Sequence, residues 1–177
     1  VRASSDYLLG GLFLALAVAL PLAFHLVGLG SIFLPMFFPV ILAGYLLRLR
    51  TSMAVGLTAP LLSALLTGMP PFYPPICFIM MAEGLVLTAV PYVLFQKLKV
   101  NVWLSLAVTM AAERFVLFLA VVLASMWLDL PAGVLGLASL LEGIPGIILI
   151  FLTIPLLVIK IKTRIGLSPI LNQESDS

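Results

Sequence analysis

Charge is scarce in this chain. Of 177 residues only 9% are Asp, Glu, Lys or Arg, and histidine and cysteine each occur once, as His25 and Cys77. A single cysteine excludes an internal disulfide and a cysteine-based metal cage, and one histidine leaves no second imidazole at metal-ligand spacing. No G-x-x-x-x-G-K-[ST] phosphate loop, G-x-S-x-G elbow or H-E-x-x-H pair occurs, so the familiar routes to nucleotide binding and hydrolysis are missing. Nothing in the chain carries a nucleic-acid signature, and no resident cofactor or metal is expected.

What fills the chain instead is apolar: 63% of residues are hydrophobic and the mean hydropathy is +1.30. With His25 neutral, no formal charge stands between Tyr7 and Leu47, and none stands between Thr51 and Ala82. Each stretch exceeds the roughly 20 residues of one membrane crossing, so each should hold two spans and a turn. A bilayer-embedded backbone must satisfy its own hydrogen bonds, and continuous apolar runs without alternation favour helices over a closed barrel. The expectation is an all-α membrane protein with six transmembrane helices, at 7–27, 31–47, 52–68, 74–95, 101–128 and 141–160. Pro35 and Pro39 each remove a backbone donor from the short second segment, which should be kinked or partly unwound and packed against protein. Residues 1–6 are read as a cytoplasmic N-terminal stretch or an expression remnant, 7–160 as the membrane domain and 161–177 as a polar cytoplasmic tail. The first apolar run is too long for a signal-peptide core and is expected to be retained.

Orientation follows from the cations. Arg48 and Arg50, Lys97 and Lys99, and Lys160, Lys162 and Arg164 follow the second, fourth and sixth spans, whereas the other connections carry no lysine or arginine. The positive-inside rule then puts both termini in the cytoplasm. The loop TGMPPFYPP at 67–75 faces out, with Glu83 below it. Intramembrane ionisable groups cost about 2.5 to 3.5 kcal/mol each on insertion scales and require a partner or a wet cavity. At about 1.5 Å per residue, Glu83 lies roughly 13 Å below the outer end of its span and Arg114 roughly 20 Å below its own, close enough to meet. They could form a structural ion pair, with Glu113 as the other candidate partner, or a ligand site. Adjacent helical residues diverge by about 100°, so Glu113 and Arg114 should not both point at one spot unaided.

Other candidates gather on the outer side. Glu142 opens the sixth span, and His25 closes the first as an interfacial polar residue or a solute contact. Phe33, Phe37, Phe72, Tyr73 and Trp127 fit the interfacial aromatic belt. Phe72 and Tyr73, in a loop stiffened by Pro70, Pro71, Pro74 and Pro75, also suit a preorganised wall over a ligand. Ala15, Ala19 and Ala23 form a small-xxx-small stripe that lets another helix approach closely.

FLPMFFPVILAGYLL at 33–47, PLLSALLTGMPP at 60–71 and MMAEG at 80–84 resemble the substrate-binding S components of energy-coupling factor transporters, over roughly residues 10–160. The resemblance implies a prokaryotic plasma-membrane subunit that captures a water-soluble vitamin at the outer face. It would associate with a transmembrane coupling subunit and two cytosolic ATPase subunits, and topple in the bilayer to release its cargo. The chain itself would then be no enzyme. Under this resemblance the alanine stripe packs on the coupling subunit, Glu83, Arg114 and Glu142 lie on the three helices that line the pocket, and the proline loop lids it. The family's nickel and cobalt branch uses an amino-terminal histidine, which is not seen here. Pantothenate is the favoured cargo, since Arg114 offers a fork for a carboxylate; riboflavin, folate and a corrinoid are alternatives. A self-sufficient proton-coupled transporter using Glu83 and Glu113, and a structural scaffold, are the readings from other classes.

Overall fold

The computed structural model describes residues 3–26, 28, 33–73, 75–128 and 143–164. They form helices α1 (Ala3–Leu26), α2 (Phe37–Leu46), α3 (Leu49–Thr67), α4 (Ile76–Pro91), α5 (Val102–Leu128) and α6 (Ile144–Arg164), with a π-helical turn, Tyr92–Lys97, continuing α4. Five segments are long and apolar enough to cross a membrane: Ser5–Phe24, Leu49–Thr67, Ile76–Lys97, Val102–Trp127 and Ile144–Thr163. This is a multi-pass, all-helical protein among its described residues.

The second of the six expected spans differs. Where 31–47 was predicted to cross, α2 has only 10 residues, about 15 Å, half a bilayer core. Its start is set by Pro35, which disfavours α geometry at the residue before it. Leu34 takes a positive φ of 49°, a left-handed conformation that costs about 1 to 2 kcal/mol. A tight turn follows, with the Phe37 amide donating to the Leu34 carbonyl at 2.9 Å. Pro39 falls in the first turn of α2, where a missing N–H costs nothing because that donor has no intrahelical partner.

α4 is the central element, packed against α2, α3 and α5, while α1 lies on α2 and α3 and α6 on α2 and α5. Two close approaches set this geometry. Gly56 of α3 faces Gly84 of α4 so tightly that a Cβ on Gly84 would stand 2.1 Å from the Gly56 carbonyl oxygen. Gly44 of α2 similarly meets the backbone of Thr88, 2.7 Å from a Cβ built there to the Thr88 oxygen. Around these contacts Val40, Ile41, Tyr45, Leu87, Leu106, Ile150 and Ile154 are fully buried.

At the end carrying the α2–α3 turn, polar side chains close the bundle. Asp6 of α1 accepts from the Arg48 amide at 3.1 Å and from the Thr51 hydroxyl. Gln96, in the π turn, donates to the Gly44 and Leu47 carbonyls at 2.8 and 2.9 Å, satisfying orphan acceptors at the C-terminus of α2. Tyr45 donates to Ser105 Oγ at 3.2 Å. Arg48, Arg50, Lys97, Lys99, Lys160 and Lys162 all belong to this end, by the alternation of the helices.

Candidate functional site

The opposite end holds a cavity of about 320 Å³. It exists because α2 stops short. α3 has 19 residues, about 28 Å, and α2, joined to it by Leu47 and Arg48, runs back along barely half of that length. The space above the first turn of α2 is lined by Leu34, Pro35, Met36 and Phe37, by Pro21 and Leu22 of α1, and by Ser63 and Thr67 of α3. Met69, Pro70 and Pro71 of the proline loop, Ile76, Met80 and Glu83 of α4, and Arg114 and Leu117 of α5 complete it. Non-helical backbone inside a membrane bundle is tolerated where it lines such a cavity.

The proline loop is tied to α3 by its own polar residues. Gly68 caps α3 with φ 75°, its amide donating to the Ala64 carbonyl, a left-handed position that favours glycine. The Ser63 hydroxyl donates to the Met69 carbonyl at 2.7 Å, and the Met69 amide donates to Thr67 Oγ1 at 3.2 Å. On the far side the Cys77 amide donates to the Pro71 carbonyl at 3.1 Å. Pro70 is buried and Pro71 half-buried, so the first two prolines form a wall of the cavity.

The polar part of the site is a cluster of three side chains. Glu83 is 3% exposed and Glu113 fully buried. Arg114 Nε donates to Glu113 Oε2 at 2.9 Å, and its side chain is 20% exposed. The Glu83 carboxyl lies near the Glu113 carboxyl and the Arg114 charge. The guanidinium also lies against Gly143, just before α6: a Cβ there would stand 3.3 Å from one Nη and 3.4 Å from the other. Among the described residues neither Nη has a hydrogen-bond partner. A largely apolar cavity, with Ser63, Thr67 and Glu83 in its wall, therefore contains one guanidinium fork with donors to spare, suited to a planar anion.

Glu83 and Arg114, expected from their depths to come close, both line the cavity, but the ion pair that Arg114 makes is with Glu113. The expected divergence of Glu113 and Arg114 is bridged by the arginine's length, its Nε folding back onto the preceding residue. Phe37 lines the cavity, whereas Phe33 packs against Phe24 in a tilted arrangement with ring centroids 6.0 Å apart. Phe72 and Tyr73 are exposed, and Phe72 packs on Phe78 at 6.1 Å; their neighbours Met69 to Pro71 form the wall instead. Ala15, Ala19 and Ala23 are exposed, on the side of α1 away from the buried Phe13, Ala17 and Pro21. The His25 side chain and Glu142 lie outside the described residues.

Several lining residues were not singled out from sequence: Leu34, Met36, Ser63, Thr67 and Met80. Pro35 held a usable signal, because a proline that stops α2 half-way implies a gap in the bundle above it. Compared with known proteins, the chain matches no family model, no curated protein sequence and no solved structure.

Proposed function

We propose that this protein captures a small, water-soluble, anionic molecule in the cavity above α2, as the substrate-binding subunit of an importer of the energy-coupling factor type. One observation carries the reading: a cavity of about 320 Å³ with largely apolar walls and Arg114, whose Nη groups have no hydrogen-bond partner among the described residues. Ligand sites commonly have this size and this composition, a mostly apolar lining with few convergent polar groups. The positive-inside rule puts the lysine- and arginine-bearing end in the cytoplasm and the cavity mouth outside, where a scarce nutrient would be met. In this reading the exposed alanine face of α1 is the surface offered to a transmembrane coupling subunit, and ATP hydrolysis belongs to cytosolic partners. Pantothenate, a carboxylate of suitable size, is the favoured cargo.

A thermal-shift screen of the purified protein against water-soluble vitamins tests this, since a ligand that binds only the folded state raises apparent stability by about 2.7 kcal/mol at a hundredfold excess over Kd. A saturable rise with pantothenate or another anionic member of the panel supports the proposal. A flat response to the whole panel counts against it. A second reading, a self-sufficient proton-coupled carrier, draws support from the paired carboxyls of Glu83 and Glu113. It requires ion-gradient-driven uptake into liposomes by this chain alone.

A further inference from the structure

The cluster beneath the cavity contains one acid too many. Two buried carboxyls sit with one partly buried guanidinium, and from α1, α2 and α3 the described residues lining this region bring no further charge. Glu83 is the acid of α4 here, Glu113 and Arg114 are the charged groups of α5, and uncharged Gly143 covers the guanidinium from the α6 side. If both acids were ionised, the cluster would carry a net negative charge in a largely buried setting, with two carboxylates close together.

A second observation points the same way. Oε1 of Glu113 is buried and has no hydrogen-bond partner among the described residues, while Oε2 is taken by Arg114 Nε. A buried acceptor left without a donor costs about 1 to 3 kcal/mol. The neighbouring carboxyl of Glu83 can supply a donor, provided that it carries a hydrogen.

We propose that Glu83 and Glu113 form a binding site for one proton, held as an O–H···O bond between the two carboxyls, with Arg114 balancing the remaining negative charge. The cluster is then neutral, and the guanidinium keeps its outward donors for a ligand. The proposal stands on these three side chains alone and holds whether or not the cavity takes a vitamin.

Infrared spectroscopy of the ligand-free protein in lipid nanodiscs at neutral pH tests it through the C=O stretch of protonated carboxyls. Wild type should show one such carboxyl per chain, and uniform 13C-glutamate labelling should shift its band. Glu83→Gln and Glu113→Gln should each abolish it, because the acid that remains has Arg114 to itself and ionises. Absence of the band in wild type, failure of the label to shift it, or its full survival in either variant overturns the proposal. The first two readouts need no substitution, so they decide the matter even if a variant does not fold.

Discussion

At the scale of single residues, Arg114 has two tasks that a substitution can separate. Its Nε neutralises Glu113, and its side chain lines the cavity. Arg114→Ala removes both and strands a buried carboxylate, a loss of about 3 to 5 kcal/mol, so failed binding in that variant would not distinguish a missing ligand contact from a damaged fold. Arg114→Lys keeps a cation beside Glu113 but loses the planar fork. Calorimetric titration of the lysine variant with a carboxylate ligand should show affinity lower by about 10- to 100-fold, from hydrogen bonds worth about 1.5 to 3 kcal/mol when charged, with melting temperature little changed. Equal affinity would show that the fork is not used. That Glu83 and Arg114 line one cavity was legible in the sequence, because helical rise sets the height of each residue. The Glu113–Arg114 pair was not: periodicity gives where a side chain leaves the helix, and a long arginine can return across that angle.

At the scale of helices, the boundaries were legible because charges, glycines and prolines interrupt the apolar runs, and α3 to α6 begin within a few residues of expectation. The length of α2 was only partly legible. Its prolines signalled irregularity, but the turn at Leu34 that turns this irregularity into a cavity is a three-dimensional outcome. Nor could the sequence reveal that Gly56 and Gly84, on different helices, face each other. That contact gives a sharp expectation, since a Cβ at Gly56 would lie 2.3 Å from the Gly84 oxygen and neither backbone can yield without separating α3 from α4. Gly56→Ala and Gly84→Ala should each destabilise the protein by about 1 to 3 kcal/mol or more, the usual cost of overpacking, read as a lower melting temperature in detergent. Gly11→Ala is the control, because a Cβ there meets nothing within 4 Å and should leave the melting temperature unchanged or slightly raised. Equal behaviour of all three variants would mean that the α3–α4 approach is looser than described.

For the whole molecule, function depends on which end faces out, and charge asymmetry is the property that decides it. Arg50 at the start of α3 and Tyr73 in the proline loop are both exposed and lie at opposite ends. Cys77, the single native cysteine, is buried, so introduced thiols can be labelled against a low background. In intact cells a membrane-impermeant maleimide should modify Tyr73→Cys at once, whereas Arg50→Cys should react only after the membrane is permeabilised. The opposite pattern would put the cavity mouth in the cytoplasm, where a capture subunit has nothing to capture, and the carrier or scaffold readings would gain. If the expected pattern holds, a saturating anionic ligand should also slow labelling at Met69→Cys, whose parent residue is half exposed yet lines the cavity, while leaving Tyr73→Cys unaffected, since Tyr73 is not among the lining residues. Orientation and occupancy would then be read by one reagent at neighbouring positions of the same loop.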